Sequence, residues 1–236
     1  QVELRGGELD YKAHKIVMGA NTPMEVSRLK SCEKEPGTVK WIETFRPDDI
    51  FYDVGANVGP YSLIAAFYAK HVYAFEPGAA NYTSLVFNVS ANKLTAKISP
   101  LSLGLGPQDG IYFLNMRDPL AGGASYQISD TAAGFSQPFI LMTLDSVLER
   151  FKLPPPTVMK IDVDGNEAAV VLGGKSTICN PTLREVICEC NDGNTANRDA
   201  LDTMMYEAGF RIKEKQVLMS SLQMNVWNKL YVRRDA

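Results

Sequence analysis

The sequence predicts an α/β fold, a doubly wound and mostly parallel sheet with helices on both faces. Three observations predict it. Short apolar runs rich in aromatic and β-branched residues alternate with amphipathic segments. The first such run, Ile50–Val54, breaks at Gly55, and Pro60 stands where a helix begins. The chain closes on two strand-like runs, 210–214 and Val226–Arg233, that read as an antiparallel pair. Repeated strand–helix alternation forms parallel sheets buried on both faces, and such sheets bind ligands beyond the carboxyl ends of their strands.

Each element follows in order. Residues 1–46 precede the first strand and read as a helical cap, and 47–236 as the sheet domain. After Pro60, 61–68 is an apolar helix. His71–Phe75 is the second strand, stopped by Glu76-Pro77. The segment 81–92 is helical, with Tyr82, Leu85, Val86 and Val89 at core-facing spacing. The third strand, 96–103, is weakened by Pro100. Residues 104–110 read as a loop and 111–115 as an extra strand. The segment 117–138 is rich in Gly, Ser and Ala with little periodicity, the mark of a lid or a substrate-binding insertion. Thr143 caps a helix to Phe151, and three consecutive prolines, 154–156, lead into the fourth strand, 157–162. A helix over 166–172, a strand over 185–189 and a helix over 196–208 complete the pattern.

Composition narrows the function. The 236 residues carry 24 Lys+Arg against 27 Asp+Glu, a net charge of −3, with no basic stripe. No nucleic-acid partner is expected, because phosphate binding calls for clustered cations. No apolar run is long enough to span a membrane, and a cytoplasmic location is expected. The cysteines Cys32, Cys179, Cys188 and Cys190 lack zinc spacing, and with only two histidines a His-based triad has little material. His71 reads as structural; Tyr11 and His14 are open as substrate contacts. Because the chain opens at Gln1 rather than Met, the true N-terminus is expected to have been cut away or to lie elsewhere.

The strand ends carry the chemistry. The turn Asp53-Val54-Gly55-Ala56-Asn57-Val58-Gly59-Pro60 lets a ligand lie against backbone. A dinucleotide site would have glycine at Asn57 and Pro60, so NAD and FAD are disfavoured. Glu76 ends the second strand about twenty residues later, where such folds place an acid on ribose hydroxyls. The fourth strand ends in Lys160-Ile161-Asp162-Val163-Asp164-Gly165-Asn166-Glu167, with Lys160 and Asp162 on one face and able to pair. Glu189 ends the fifth strand toward the same crevice. The run Glu189-Cys190-Asn191-Asp192 raises a divalent ion, but these acids read better as base or substrate ligands, and no metal is expected.

These residues resemble the FkbM family of S-adenosylmethionine-dependent methyltransferases. The likeness rests on the 53–59 turn followed by Tyr61-Ser62, on Phe75-Glu76-Pro77, on Thr143-Leu144-Asp145-Ser146 and on the 160–167 segment. Glu35-Pro36-Gly37-Thr38-Val39-Lys40-Trp41-Ile42 fits the family's leading segment. The resemblance implies a Rossmann-like class I methyltransferase with a seven-stranded sheet and an antiparallel last strand. It implies that Asp53, Gly55, Asn57 and Gly59 line the methionine and ribose side of S-adenosylmethionine and that Glu76 binds the ribose, with Ala56, Tyr61, Ser62, Pro77 and Asp162 in the same cofactor site. Where many class I enzymes hold adenine with an acid, this chain has Ser102-Leu103-Gly104, which leaves Ser102 or backbone for that contact. The implied reaction is O-methylation of a sugar, glycan or natural-product hydroxyl. Asp162 is the first candidate for base or acceptor orientation and Glu189 the second, with Tyr126 a contact from the 117–138 loop. A non-catalytic nucleotide-binding module and an NAD-dependent oxidoreductase are the rivals.

Overall fold

The computed structural model describes residues 5–124, 126–218 and 225–234. Residues 1–4 of the expected cap and Ser125 of the expected loop lie outside them. The N-terminal segment is not helical throughout. It opens as an antiparallel hairpin of β1 (Gly6–Glu8) and β2 (Val17–Gly19), followed by α1 (Pro23–Arg28), α2 (Ser31–Lys34) and α3 (Pro36–Ile42). Thr22 caps α1 in a full capping box with Glu25.

The sheet domain runs β3 (Ile50–Val54), α4 (Pro60–Ala65), β4 (His71–Phe75), α5 (Ala79–Ala91) and β5 (Ile98–Leu101). The third strand is thus shorter than 96–103. Its proline is harmless because β5 is the sheet edge. Next come β6 (Gly104–Leu105), β7 (Gly110–Met116), β8 (Gln127–Ser129), β9 (Phe135–Met142) and α6 (Leu144–Phe151), capped as expected by the Thr143 hydroxyl. Then follow β10 (Val158–Ile161), α7 (Glu167–Gly173), α8 (Lys175–Cys179), β11 (Glu185–Asn191), α9 (Thr195–Glu207), β12 (Phe210–Val217) and β13 (Val226–Arg233).

The main sheet has seven strands in the order β12-β13-β11-β10-β3-β4-β5. All pairings are parallel except those of β13, which runs antiparallel to β11 and β12. This is the expected Rossmann-like, doubly wound sheet. Its strands alternate between two apolar layers. Phe51 packs with Trp41, Leu63 and Leu85 on one face, while Tyr52 and Val54 pack with Val147, Val170 and Met205 on the other. The order reverses between β3 and β10, and the crevice at their carboxyl ends is the switch point.

Two expectations change. Residues 104–110 and 117–138 are not plain loops, because β6, β8 and β9 join β7 in a second, four-stranded sheet. Its small core is Leu114, Phe139 and Leu141, while Ile111, Phe135 and Ile140 stay exposed, which blurs the alternation. On α5 the inward face is Asn81, Leu85, Asn88 and Val89, while Val86 is exposed. The two asparagines are buried because they serve backbone: Asn88 accepts from Gly19 N–H and donates to the Val58 carbonyl, both at 2.8 Å.

The seam between β3 and β10 is tight. Gly55 has φ of +83°, and a Cβ there would lie 1.9 Å from the Asp162 carbonyl oxygen. We expect Gly55→Ala to destabilise the protein by roughly 2–5 kcal/mol, from the left-handed backbone and the overlap together. Urea denaturation measures this, and a loss below about 1 kcal/mol would contradict the packing described.

Candidate active site

A cavity of about 240 Å³ opens at the switch point. Its floor is the β3–α4 turn, where Gly55, Ala56 and Asn57 present backbone. Asn57 adopts φ of +54°, a conformation asparagine tolerates better than most residues. Tyr61, Glu76 and Pro77 also line the cavity, as do Asp162 and Glu189. These are the residues the sequence singled out, brought together from four strand ends.

Glu76 is 3% exposed. Its Oε2 accepts from Asn57 N–H at 2.9 Å and its Oε1 from Gly78 N–H at 2.8 Å. Burial raises its pKa to about 7, against the lowering effect of those hydrogen bonds.

The opposite wall is a charge cluster. Lys160 is 2% exposed, and its ammonium donates to Asp162 Oδ2 at 2.5 Å, the pairing expected from their shared strand face. The Lys160 ammonium also sits 4.9 Å from the Tyr61 ring centre. Burial acts to raise the Asp162 pKa, but Lys160 outweighs it and holds the carboxyl below its usual value. Glu189 behaves oppositely: burial, then the Asp162 charge, push it far above the carboxylate range. The carboxylates of Glu35, Asp162 and Glu189 lie within 4.8 Å of one another, around a cation the chain already supplies in Lys160.

Four expected residues do not reach the cavity wall. Asp53 is buried under the turn, accepting from the Ser62 hydroxyl at 2.5 Å, while its Oδ1 has no hydrogen-bond partner. Burial raises its pKa, opposed by Lys160 and Ser62. Ser62 is committed to that bond. Gly59, at φ of +90°, forms the start of α4 where a Cβ would meet Leu85. Ser102 is exposed, and its neighbours Leu103, Gly104 and Leu105 form the wall instead, with Leu114 and Ile128 of the second sheet. Tyr11 and His14 do not line the cavity, His14 being stacked on Phe67 at 4.0 Å and Tyr11 bonded to Glu43. His71 bonds Ser99 and is structural. Cys188 and Cys190 are buried and unbridged.

Sequence reading missed Arg28, Lys34 and Glu35, which the N-terminal segment delivers to the cavity. Glu35 accepts from Thr38 and from Asn228 of β13, both at 3.0 Å. It also missed Asn81, although a polar residue in helical register with Leu85 and Asn88 was a usable signal.

The sheet order, with a lone antiparallel strand beside a switch-point cavity floored by a glycine turn, defines the class I methyltransferase architecture. The family model for the methyltransferase FkbM domain matches residues 53–212. The chain belongs to the FkbM family of S-adenosylmethionine-dependent methyltransferases. It is 27% identical over 170 residues to the hexuronic acid methyltransferase AglP of Haloferax volcanii, across 72% of this chain and 67% of that protein. A shorter stretch, 102 residues at 31% identity, matches a tRNA (guanine(37)-N(1))-methyltransferase of Aedes aegypti, covering 42% of this chain and 18% of that protein. Among solved structures, the methyltransferase FkbM of Methylobacillus flagellatus shares the fold, with a TM-score of 0.58 at 14% identity over 80% of this chain. The chain spans 44% of that structure's chain.

The charge cluster makes a stability prediction. Lys160→Met leaves Asp162 without its buried partner and should cost about 3 kcal/mol in urea denaturation. A neutral outcome would show that the pair does not hold the seam.

Proposed function

We propose that the protein transfers the methyl group of S-adenosylmethionine to a hydroxyl oxygen of a sugar. The observation that carries this reading is the pairing of Glu76 with the bare Gly55–Asn57 backbone on one cavity floor, facing the Asp162–Lys160 pair. The donor set suits this cofactor. A buried carboxylate fits a ribose diol, and the neighbouring acids fit the charges of the sulfonium and ammonium groups. Arg28 at the rim suits the methionine carboxylate. The apolar wall of Phe75, Leu103, Leu114 and Ile128 suits an adenine held by packing rather than by an acid. Residues 1–46 are then a cap that completes the cavity, and 117–138 the acceptor-facing segment, with Tyr126 on the wall.

The cofactor supplies an electrophilic methyl on its sulfonium sulfur. As the acceptor oxygen bonds to that carbon, the carbon–sulfur bond breaks, and the hydroxyl proton must leave. Asp162 takes that proton, because Lys160 keeps it ionised. Glu189, held protonated by burial and by Asp162, donates a hydrogen bond that orients the acceptor. A sugar acceptor is supported by the relation to the hexuronic acid enzyme and by the net charge of −3, which offers no match to an RNA backbone. A cytoplasmic location belongs to the same reading, in keeping with four free cysteines.

Titration calorimetry should show S-adenosylmethionine binding and no binding of NADH. Failure of the first at millimolar concentration sinks the cofactor assignment. Donor affinity should rise with pH between 6 and 8, since the diol needs an ionised Glu76 and its pKa is raised to about 7. Glu76→Gln should bind weakly with no such rise. In the free protein the sign reverses. Glu76 favours folding fully below its unfolded pKa, and that contribution is lost as pH climbs through 7.

The two candidate catalytic acids separate in kinetics. Asp162→Asn should bind donor yet lose about 100-fold or more in turnover. Glu189→Gln, which mimics a protonated acid, should keep most of its turnover at pH 7. The reverse ranking would make Glu189 the base.

A further inference from the structure

Residues 120–124 are fastened to the donor-binding floor from two sides. On the inner side, the Asn57 side-chain amide donates to the Gly123 carbonyl at 2.6 Å. Asn81, fully buried, accepts from Gly122 N–H at 2.7 Å and donates to the Gly123 carbonyl at 3.2 Å and to the Tyr126 hydroxyl at 2.9 Å. The same amide lies 3.4 Å from Glu76 Oε1. On the outer side, the Thr22 hydroxyl donates to the Ala121 carbonyl at 2.7 Å, and Arg28 Nε donates to the Gly122 carbonyl at 3.1 Å. Gly122 fits this clamp only as glycine, with φ of +86° and a would-be Cβ 2.6 Å from Glu25 N.

The Ala121, Gly122 and Gly123 carbonyls and the Gly122 amide are therefore all held by side chains, unlike a surface loop that bonds to water. It covers the donor side of the cavity. Ala124 and Tyr126 form part of the wall, and the Tyr126 ring comes within 3.3 Å of the Cβ position at Gly78, directly over the backbone that binds Glu76. Asn57, expected in the donor site, spends its side chain on the loop and leaves its backbone for the floor.

We propose that Asn81 is a positioning residue and, with Asn57 inside and Thr22 and Arg28 outside, latches residues 120–124 as a lid over the methyl donor. Donor and demethylated product then exchange only when the latch opens. Because the outer half of the latch comes from α1, the N-terminal segment controls residence at a site it does not itself floor. The proposal rests on the donor reading above.

The test is the release rate of S-adenosylhomocysteine, followed by stopped-flow displacement. Thr22→Val touches the loop and not Glu76, whereas Asn81→Ala, although off the cavity wall, loses its contacts with both the loop and Glu76. Release from Asn81→Ala should be about tenfold faster, the effect of losing one well-formed hydrogen bond or more. Thr22→Val removes the bond to Ala121 together with the α1 cap, leaves the Arg28–Gly122 bond, and should accelerate release in the same direction. It decides the matter if Asn81→Ala does not fold. In both variants the Gly122 amide should lose protection from hydrogen exchange. Binding with an unchanged release rate in the folded variants overturns the lid and leaves the donor assignment standing. No binding to the wild-type protein sinks the donor assignment and the lid with it.

Discussion

The active-site crevice depends on one backbone contact, that of Gly55 against the Asp162 carbonyl. The two strands β3 and β10 run parallel with Val54 opposite Ile161, so their chains reach the end of the sheet at the same level. No side chain fits between them there. Beyond that point α4 turns to one face and α7 to the other, because each covers a different apolar layer. The opening between the diverging chains is the cavity. Every other wall is hung from it: Glu76 from the neighbouring strand, Glu189 from the strand on the far side, and the second sheet from the continuation of β5.

Placing charges at that seam is costly, and the arrangement of signs decides which survive. At an effective dielectric near 20, a pair as close as Lys160 and Asp162 attracts by roughly 6–7 kcal/mol, comparable to the several kcal/mol needed to dehydrate each ion. One ammonium can offset one carboxylate on those terms. The site holds more acids than that, so burial resolves the excess by protonation, and Glu189 is the group displaced upward. Two carboxyl groups at adjacent strand ends thereby acquire different protonation states, the condition for dividing base and donor roles between them. Glu76 escapes this competition on the other wall, where two backbone amides offset part of its burial.

Much of this was legible in the chain. The glycine turn, Glu76, the Lys160–Asp162 spacing and the Thr143 cap are local features, set within a few residues of each other, and each appears where its spacing puts it. What stayed hidden depends on distant partners. Asn81 stands in core-facing register with Leu85 and Asn88, but its partners appear only when the 120–124 segment folds over it. Glu35 precedes a proline in a segment without periodicity, and only Asn228, 193 residues away, fixes its carboxylate. Of the four-stranded sheet the sequence predicts only the 111–115 strand, because β8 pairs over three residues only and Ile111, Phe135 and Ile140 are apolar and exposed.

The sequence alone determined the doubly wound class, the order of its elements and the acids at their ends, because periodicity and turn chemistry act over a single strand or helix. Tertiary structure decided which of those acids pairs with Lys160, which side chains reach the cavity and what covers it. Asp53 and Ser62 turn inward to each other, Ser102 faces solvent, and Asn57 holds a loop. Such outcomes follow from burial and from partners tens to hundreds of residues away, and no local pattern carries them.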